Sequence, residues 1–178
     1  MALINTTTTG VLGSTFFGDG TGSLTVQQNG VTLGTYGNIP TFSAYKSASQ
    51  TSIPNATFTK VTFQSEEWDT NNNFDNATNY RFTPTVAGYY QFNWELDTGG
   101  NTTSGSLADL YKNGSAYKRS NGVLVASISE QYVSGSALAY ANGTTDYFEI
   151  YAYMAGGGTV YGGTTVYSFF QGILVKAT

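Results

Sequence analysis

The chain has 178 residues, enough for one domain with a short extension that buries a core without disulfides or metals. Charged residues make up only 10% and the net charge is −4, with seven Lys and Arg in all, so no basic cluster exists to neutralise phosphates and nucleic acid is excluded as a partner. No apolar run approaches the roughly 18 residues a membrane span needs, and the lack of Cys and His removes thiolate nucleophiles, the usual zinc sites and every His-based triad.

Gly, Tyr, Phe, Thr and Asn dominate what remains. Thr and the aromatics favour strands, while Gly and Asn favour turns, so the composition predicts an all-β protein. In chain order, residues 1–15 form a Thr-rich arm whose apolar side chains are Leu3, Ile4, Val11 and Leu12. The opening MALINTTTTGVLGS has neither the basic start nor the long apolar stretch of a secretory leader, and the expectation is a protein made without export. Six N-x-S/T sequons, at Asn5, Asn55, Asn76, Asn101, Asn113 and Asn142, then reflect Asn and Thr richness rather than glycosylation.

Residues 16–40 read as a connector. Gly18-Asp19-Gly20-Thr21-Gly22 lacks the Lys and the following helix of a phosphate loop, and it lacks the repetition of a calcium-binding nonapeptide; it predicts a turn. Beyond it, LTVQQ and VTLGTY alternate on either side of Asn29-Gly30, a strong hairpin signal. Pro40 marks a boundary. From there strands are expected near 41–46, 58–65, 80–83, 87–96, 106–112, 122–129, 134–141, 146–153 and 165–176, separated by Asn- and Gly-rich breaks. Short strands at this spacing, with no helical periodicity, imply a sandwich or barrel over 41–178.

Three acidic groupings invite a catalytic reading: Glu66, Glu67 and Asp69; Glu95 and Asp97; Asp146 and Glu149. Without His or Cys, and with acids mostly beside turns, the expectation is a protein with no catalytic site and no cofactor. DTNNNFDN at 69–76 could offer a hard cation the oxygens of Asp69 and Asp75; the alternative is a loop held by its own Asn side chains. The aromatic strands YYQFNW (89–94), YFEIYAY (147–153) and YSFF (167–170) place rings on both faces. One face must be core, and a second apolar face predicts a covering subunit, hence an oligomer; the alternative is a platform of exposed aromatics for carbohydrate.

FSAY (42–45), FTKVTF (58–63), Trp68-Asp69, RFTP (81–84), AGYYQF (87–92), LYKNG (110–114) and SFFQGILV (168–175) follow one another in a familiar order. Over residues 42–176 the chain resembles the globular head domain of complement component 1q, a relative of the tumour necrosis factor fold. The resemblance implies a ten-stranded jelly roll assembled as a homotrimer. Phe82, Gly88, Tyr90, Phe92, Phe170 and Gly172 would be structural in it, and Phe148 and Tyr151 are expected with them in the core or trimer contacts. The family usually has Gly before the Arg-Phe pair, whereas this chain has Asn79-Tyr80. With no collagen-like repeat, the expected role is that of a bacteriophage structural protein on the virion surface. It would be a trimeric capsid decoration or cement protein anchored through Leu3, Ile4, Val11 and Leu12 to the major capsid protein or another virion protein. The alternative is a tail- or head-fibre tip that binds a host-surface receptor or glycan, and a third class is a bacterial surface protein.

Overall fold

The structure is a computed structural model that describes residues 39–100, 105–120, 122 and 130–178 in full and residues 14–18, 24–28 and 31–36 as backbone. The turn at 19–22, the apolar arm residues Leu3, Ile4, Val11 and Leu12, and most of the strand expected at 122–129 lie outside the described residues. The chain divides into two compact units, Met1–Ile39 and Pro40–Thr178, with the break at the proline expected to mark it.

In the first unit, β2 (Leu24–Gln28) and β3 (Val31–Tyr36) form the expected antiparallel hairpin. A third strand, β1 (Ser14–Gly18), pairs with β2, so the last residues assigned to the arm belong to a three-stranded sheet.

The second unit is a β-sandwich. Its strands are β4 (Thr41–Tyr45), β5 (Gln50–Ile53), β6 (Thr59–Lys60), β7 (Ser65–Asp69), β8 (Phe74–Asp75), β9 (Arg81–Phe82), β10 (Gly88–Gly99), β11 (Ser106–Lys112), β12 (Ser115–Arg119), β13 (Glu130–Ala141), β14 (Phe148–Met154), β15 (Gly158–Val160) and β16 (Phe169–Ala177). The first sheet runs β5-β15-β10-β16-β4-β7, with β13 on the other side of β10. The second runs β12-β11-β14-β9-β8, with β6 also on β14.

Strict alternation builds the core. Along β10, Tyr90, Phe92, Trp94 and Leu96 are buried while Tyr89, Gln91, Asn93 and Glu95 face outward, because successive side chains of a strand point to opposite faces. Phe42, Phe92 and Phe170 from the first sheet meet Phe82 and Phe148 from the second; Phe42 and Phe82 stack at 4.2 Å, and Phe92 and Phe148 lie 4.6 Å apart. Tyr90 closes the cluster and donates its hydroxyl to the Val86 carbonyl at 2.8 Å. β13 turns Val133, Gly135, Ala137 and Ala139 toward this layer, and any Cβ on Gly135 would collide with the Trp94 ring. Small residues on one strand thus make room for a large ring on its neighbour. Gly88 faces the Lys176 carbonyl where a Cβ would sit.

The turns obey their own chemistry. Asn113-Gly114, at φ 53° and 76°, joins β11 to β12 as a two-residue hairpin with both central residues left-handed. Tyr80 holds φ 50° where the resemblance expects Gly, so the left-handed turn before Arg81-Phe82 is kept by a bulky residue. Of the segment 58–65 only 59–60 and Ser65, the first residue of β7, are strand; Val61 and Phe63 are buried, and Gln50 accepts the Thr62 N–H at 2.9 Å.

Gly172 is wedged between rings: a Cβ there would lie 2.7 Å from both the Phe42 and the Phe92 rings. Gly172→Ala is expected to cost about 1–3 kcal/mol of stability by overpacking, read as a lower urea midpoint at unchanged slope. A neutral outcome would mean that this ring layer is loosely packed.

Candidate functional surfaces and the acidic cavity

The middle of the first sheet's outward face is uncharged, and its charged side chains lie toward the edges. Across β13, β10 and β16 the pairing register sets Leu138, Gln91 and Ile173 in one row and Tyr140 beside Tyr89 in another, their rings 5.6 Å apart. A third row runs Ser136, Asn93, Gln171, Ser43 and Trp68. Leu138 is 53% exposed, Trp68 45%, Ile173 44% and Val175 61%. Glu95 and Asp97 on β10 and Lys176 on β16 are the charged side chains these two strands add to that face. Between Trp68 and Ile173 lies a cavity of about 200 Å³, floored by Phe42 and Gly172.

The outward face of the second sheet differs. Tyr111 and Tyr151 stack at 3.9 Å; Phe58 lies 6.1 Å from Tyr111 and 5.1 Å from Tyr153. Burial raises both phenols above their ordinary value. Ion pairs knit this face: Arg119 to Asp109 at 3.1 Å, Lys60 to Glu149 at 2.6 Å and Lys112 to Asp146 at 2.9 Å. The Asp146 carboxyl loses hydration by burial, but donors from Asn113, Lys112 and the Asn142 N–H outweigh that and hold it below the usual carboxylate range.

The two weak cation candidates are occupied by their own turns. Asp69 accepts the N–H groups of Asn71 and Phe74 at 3.2 and 2.7 Å. Asp75 accepts those of Thr78, Ala77 and Asn79, and these bonds pull its carboxyl down to about 2. Asn73 ties 71 to 85 in the same way, so the Asn-stabilised loop is the arrangement found. Among the described residues no group of three acids is placed to hold a metal. Of the other acids, Glu67 accepts the Ser43 hydroxyl at 2.8 Å, and Glu66 is raised by burial and by Asp69.

The expected core residues Phe82, Tyr90, Phe92, Phe148 and Phe170 are 0–1% exposed and lie between the sheets, not on an outer face. Tyr151 points outward on the second sheet. The sequence reading assigned no role to Lys46, which is fully buried; its Nζ donates to the Thr62 carbonyl at 2.8 Å, and burial pulls it down to about 8.

One acidic grouping is not satisfied. Asp97, at the end of β10, is 2% exposed, and its Oδ1 has no hydrogen-bond partner among the described residues. Its carboxyl is pushed up to about 6 by burial, by a side-chain hydrogen bond to Glu130 and by the charges of Glu130 and Glu95. It lines a cavity of about 470 Å³ with Glu130, Tyr161, Tyr167 and the 162–165 turn. Tyr132 donates to Glu130 at 3.1 Å, which pushes its phenol up to about 12.

No protein-family model matches the chain, and no curated protein matches its sequence. Solved structures do match in fold. The globular domain of zebrafish complement 1qA protein is 22% identical at a TM-score of 0.55, over 78% of this chain and 99% of that one. Murine APRIL (TM-score 0.57, 9% identity, 77% and 99% covered) and Eiger TNF from S. frugiperda (0.57, 11%, 79% and 95%) match equally well. The second unit therefore has the jelly-roll fold shared by complement 1q heads and tumour necrosis factor-like proteins.

Asp97 makes stability fall as pH rises. Below its ordinary value of 3.8 the carboxyl is protonated whether folded or not; between there and about 6 the folded protein holds a proton the unfolded chain has released. Asp97→Asn is expected to stabilise the protein by about 1–3 kcal/mol at pH 7.5 and to change little at pH 3.5. Denaturation at the two pH values checks this, and equal effects at both would refute the titration.

Proposed function

We propose that this chain is a non-enzymatic, homotrimeric structural protein of a bacteriophage particle, a capsid decoration or cement protein displayed on the virion surface. The observation that carries the self-association is the outward face of the first sheet. Leu138, Ile173, Val175, Trp68, Tyr89 and Tyr140 form one apolar band there, interrupted mostly by uncharged Gln, Asn and Ser. Burying such a band against two other copies gains roughly 25 cal/mol for each Å² of apolar surface removed from water, and its Gln and Asn can hydrogen-bond across a symmetric contact. The jelly-roll fold supports this reading, and so does the Cys-free, charge-poor composition, which suits a module built into a larger assembly. Attachment to the major capsid protein or another virion protein falls to the N-terminal unit, with Leu3, Ile4, Val11 and Leu12 as its contacts.

A second reading is favoured by the other face. The Tyr111–Tyr151 stack flanked by Phe58 and Tyr153 is an aromatic cluster with the Arg119–Asp109 ion pair at its edge. Such a surface suits a fibre-tip adhesin that stacks on a host-surface glycan. Under this reading Tyr151→Ala abolishes glycan-array binding and leaves assembly intact.

Light scattering is expected to give a three-chain mass. The exposed-face variant Leu138→Asp/Ile173→Asp is expected to give folded monomer, because both positions are outside the core. A wild-type monomer at micromolar concentration, or a trimeric double variant, would refute the interface. Deleting residues 1–15 is expected to leave the trimer intact and to abolish incorporation into particles. Unchanged incorporation would remove the anchoring role.

A further inference from the structure

We propose that the cavity at the end of β10 is a binding site for the primary ammonium group of a small organic ligand, held between the Asp97 and Glu130 carboxylates. The inference concerns residues of a single protomer and stands independently of the trimer.

The site is built from three elements. β10 delivers Asp97, fixed by its own backbone: the Asp97 N–H donates to the Ser168 hydroxyl at 3.0 Å, and its carbonyl accepts the Tyr161 N–H at 2.8 Å. β13 delivers Glu130, oriented by the Tyr132 hydroxyl. The 161–167 segment supplies Tyr161 and Tyr167 as walls. It can approach because Gly162 has no side chain: a Cβ there would lie 2.7 Å from Lys46 and 2.8 Å from the Ala48 carbonyl.

The chemistry selects the ligand. Asp97 and Glu130 line the same cavity, and the negative charges of Glu130 and Glu95 both act on the Asp97 carboxyl. The facing titratable groups on the packed elements are these acids and the phenols of Tyr132, Tyr161 and Tyr167. Every ion pair among the described residues belongs to other acids, and the buried Lys46, whose backbone borders this turn, sends its Nζ to Thr62. Asp97 therefore has no basic side chain paired to it among the described residues, and its buried Oδ1 is left without a donor. An ammonium brings a full positive charge and three N–H donors. Between the two carboxylates it would offset both charges and supply the donor that Oδ1 lacks, while its carbon chain rests against the tyrosine rings, whose faces also attract a cation.

Other ligands fit less well. A bare divalent ion would find two carboxylates where it needs six or more oxygens, and it would leave most of the roughly 470 Å³ to water. A neutral sugar would leave both charges uncompensated.

The test is a titration of the full-length protein with n-butylammonium, followed by amide NMR shifts at residues 161–167, with glucose and calcium as controls. Saturable binding is expected at pH 7.5. At pH 5 it is expected to be about tenfold weaker, since a carboxyl titrating at about 6 is then roughly nine-tenths protonated. Binding is expected to be lost in Asp97→Asn and weakened at least severalfold in Glu130→Gln, an exposed position whose substitution spares the core. Three results would overturn the proposal: no saturable shifts with n-butylammonium, undiminished binding in both variants, or equal binding of glucose. Calcium binding without ammonium binding would also overturn it and make the cavity a metal site.

Discussion

The ring layer between the sheets is the constraint on which the rest depends. Phe42 stacks on Phe82 at 4.2 Å and meets Phe170 edge-on at 5.0 Å, so strands from both sheets are fixed by one set of contacts. The layer closes because Gly172 and Gly135 supply no Cβ where Phe92 and Trp94 need space. Aromatic pairs in this geometry add to the burial of their area, and the close packing leaves each strand one permitted register. Once the inward residues are committed to that layer, every outward residue is free of the fold. The two outer faces could diverge for that reason.

Their divergence is electrostatic. All three ion pairs among the described residues join strands or turns of the second sheet: β6 to β14, β11 to the turn before β14, and β12 to β11. In a chain with seven basic residues this uses Lys60, Lys112 and Arg119 on one side. Arg81 is also there, over the Tyr147 ring at 4.2 Å. The first sheet keeps an apolar band and a few acids that form no ion pair among the described residues. A face that lacks charge is cheap to dehydrate against another protein, whereas a face laced with partly exposed ion pairs is not. The distribution thus assigns assembly to the first sheet and leaves the second to solvent or ligand.

Alternation was legible wherever a strand is long and has one face buried: β10, β11 and β14 follow the sequence pattern closely. It failed where burial supplies no period. β12, SAYKR, is exposed at all five positions, so nothing in its order of side chains distinguishes it from a loop; it exists because Asn113-Gly114 turns the chain back onto β11. β7, SEEWD, pairs with β4 at the end of the strand order among the described residues and sets acids and a Trp on a sheet edge, where polar residues protect against further pairing. The tract FTKVTF reads as one strand, yet Gln50 and Lys46 claim the Thr62 backbone and end the ladder at Lys60. Lys46 itself illustrates the limit of composition: a lone lysine after an apolar strand predicts a solvated end, and only the fold over it reveals a buried cation. Tyr80 shows the converse. The departure from Gly was visible in the sequence, but the left-handed turn survives because the Asp75 carboxylate, bonded to the N–H groups of 77, 78 and 79, holds the approach to it.

Asp97 was legible only as half of an acidic pair two residues apart with Glu95. A period-two spacing places both on one strand face, but the partner that matters, Glu130, comes from β13 through the register Gly99 to Glu130. The arrangement is unfavourable by itself: burial and two neighbouring carboxylates oppose its charge, and no basic side chain among the described residues pairs with it. A chain this poor in charge could have placed Asn or Thr there at no structural loss, since the bonds that fix the strand end use the Asp97 backbone, not its carboxyl. Perturbed carboxyls of this kind concentrate where a protein binds something. A cation that binds only the folded form recovers the cost in proportion to its occupancy, so the same residue that weakens the isolated protein at neutral pH couples its stability to ligand.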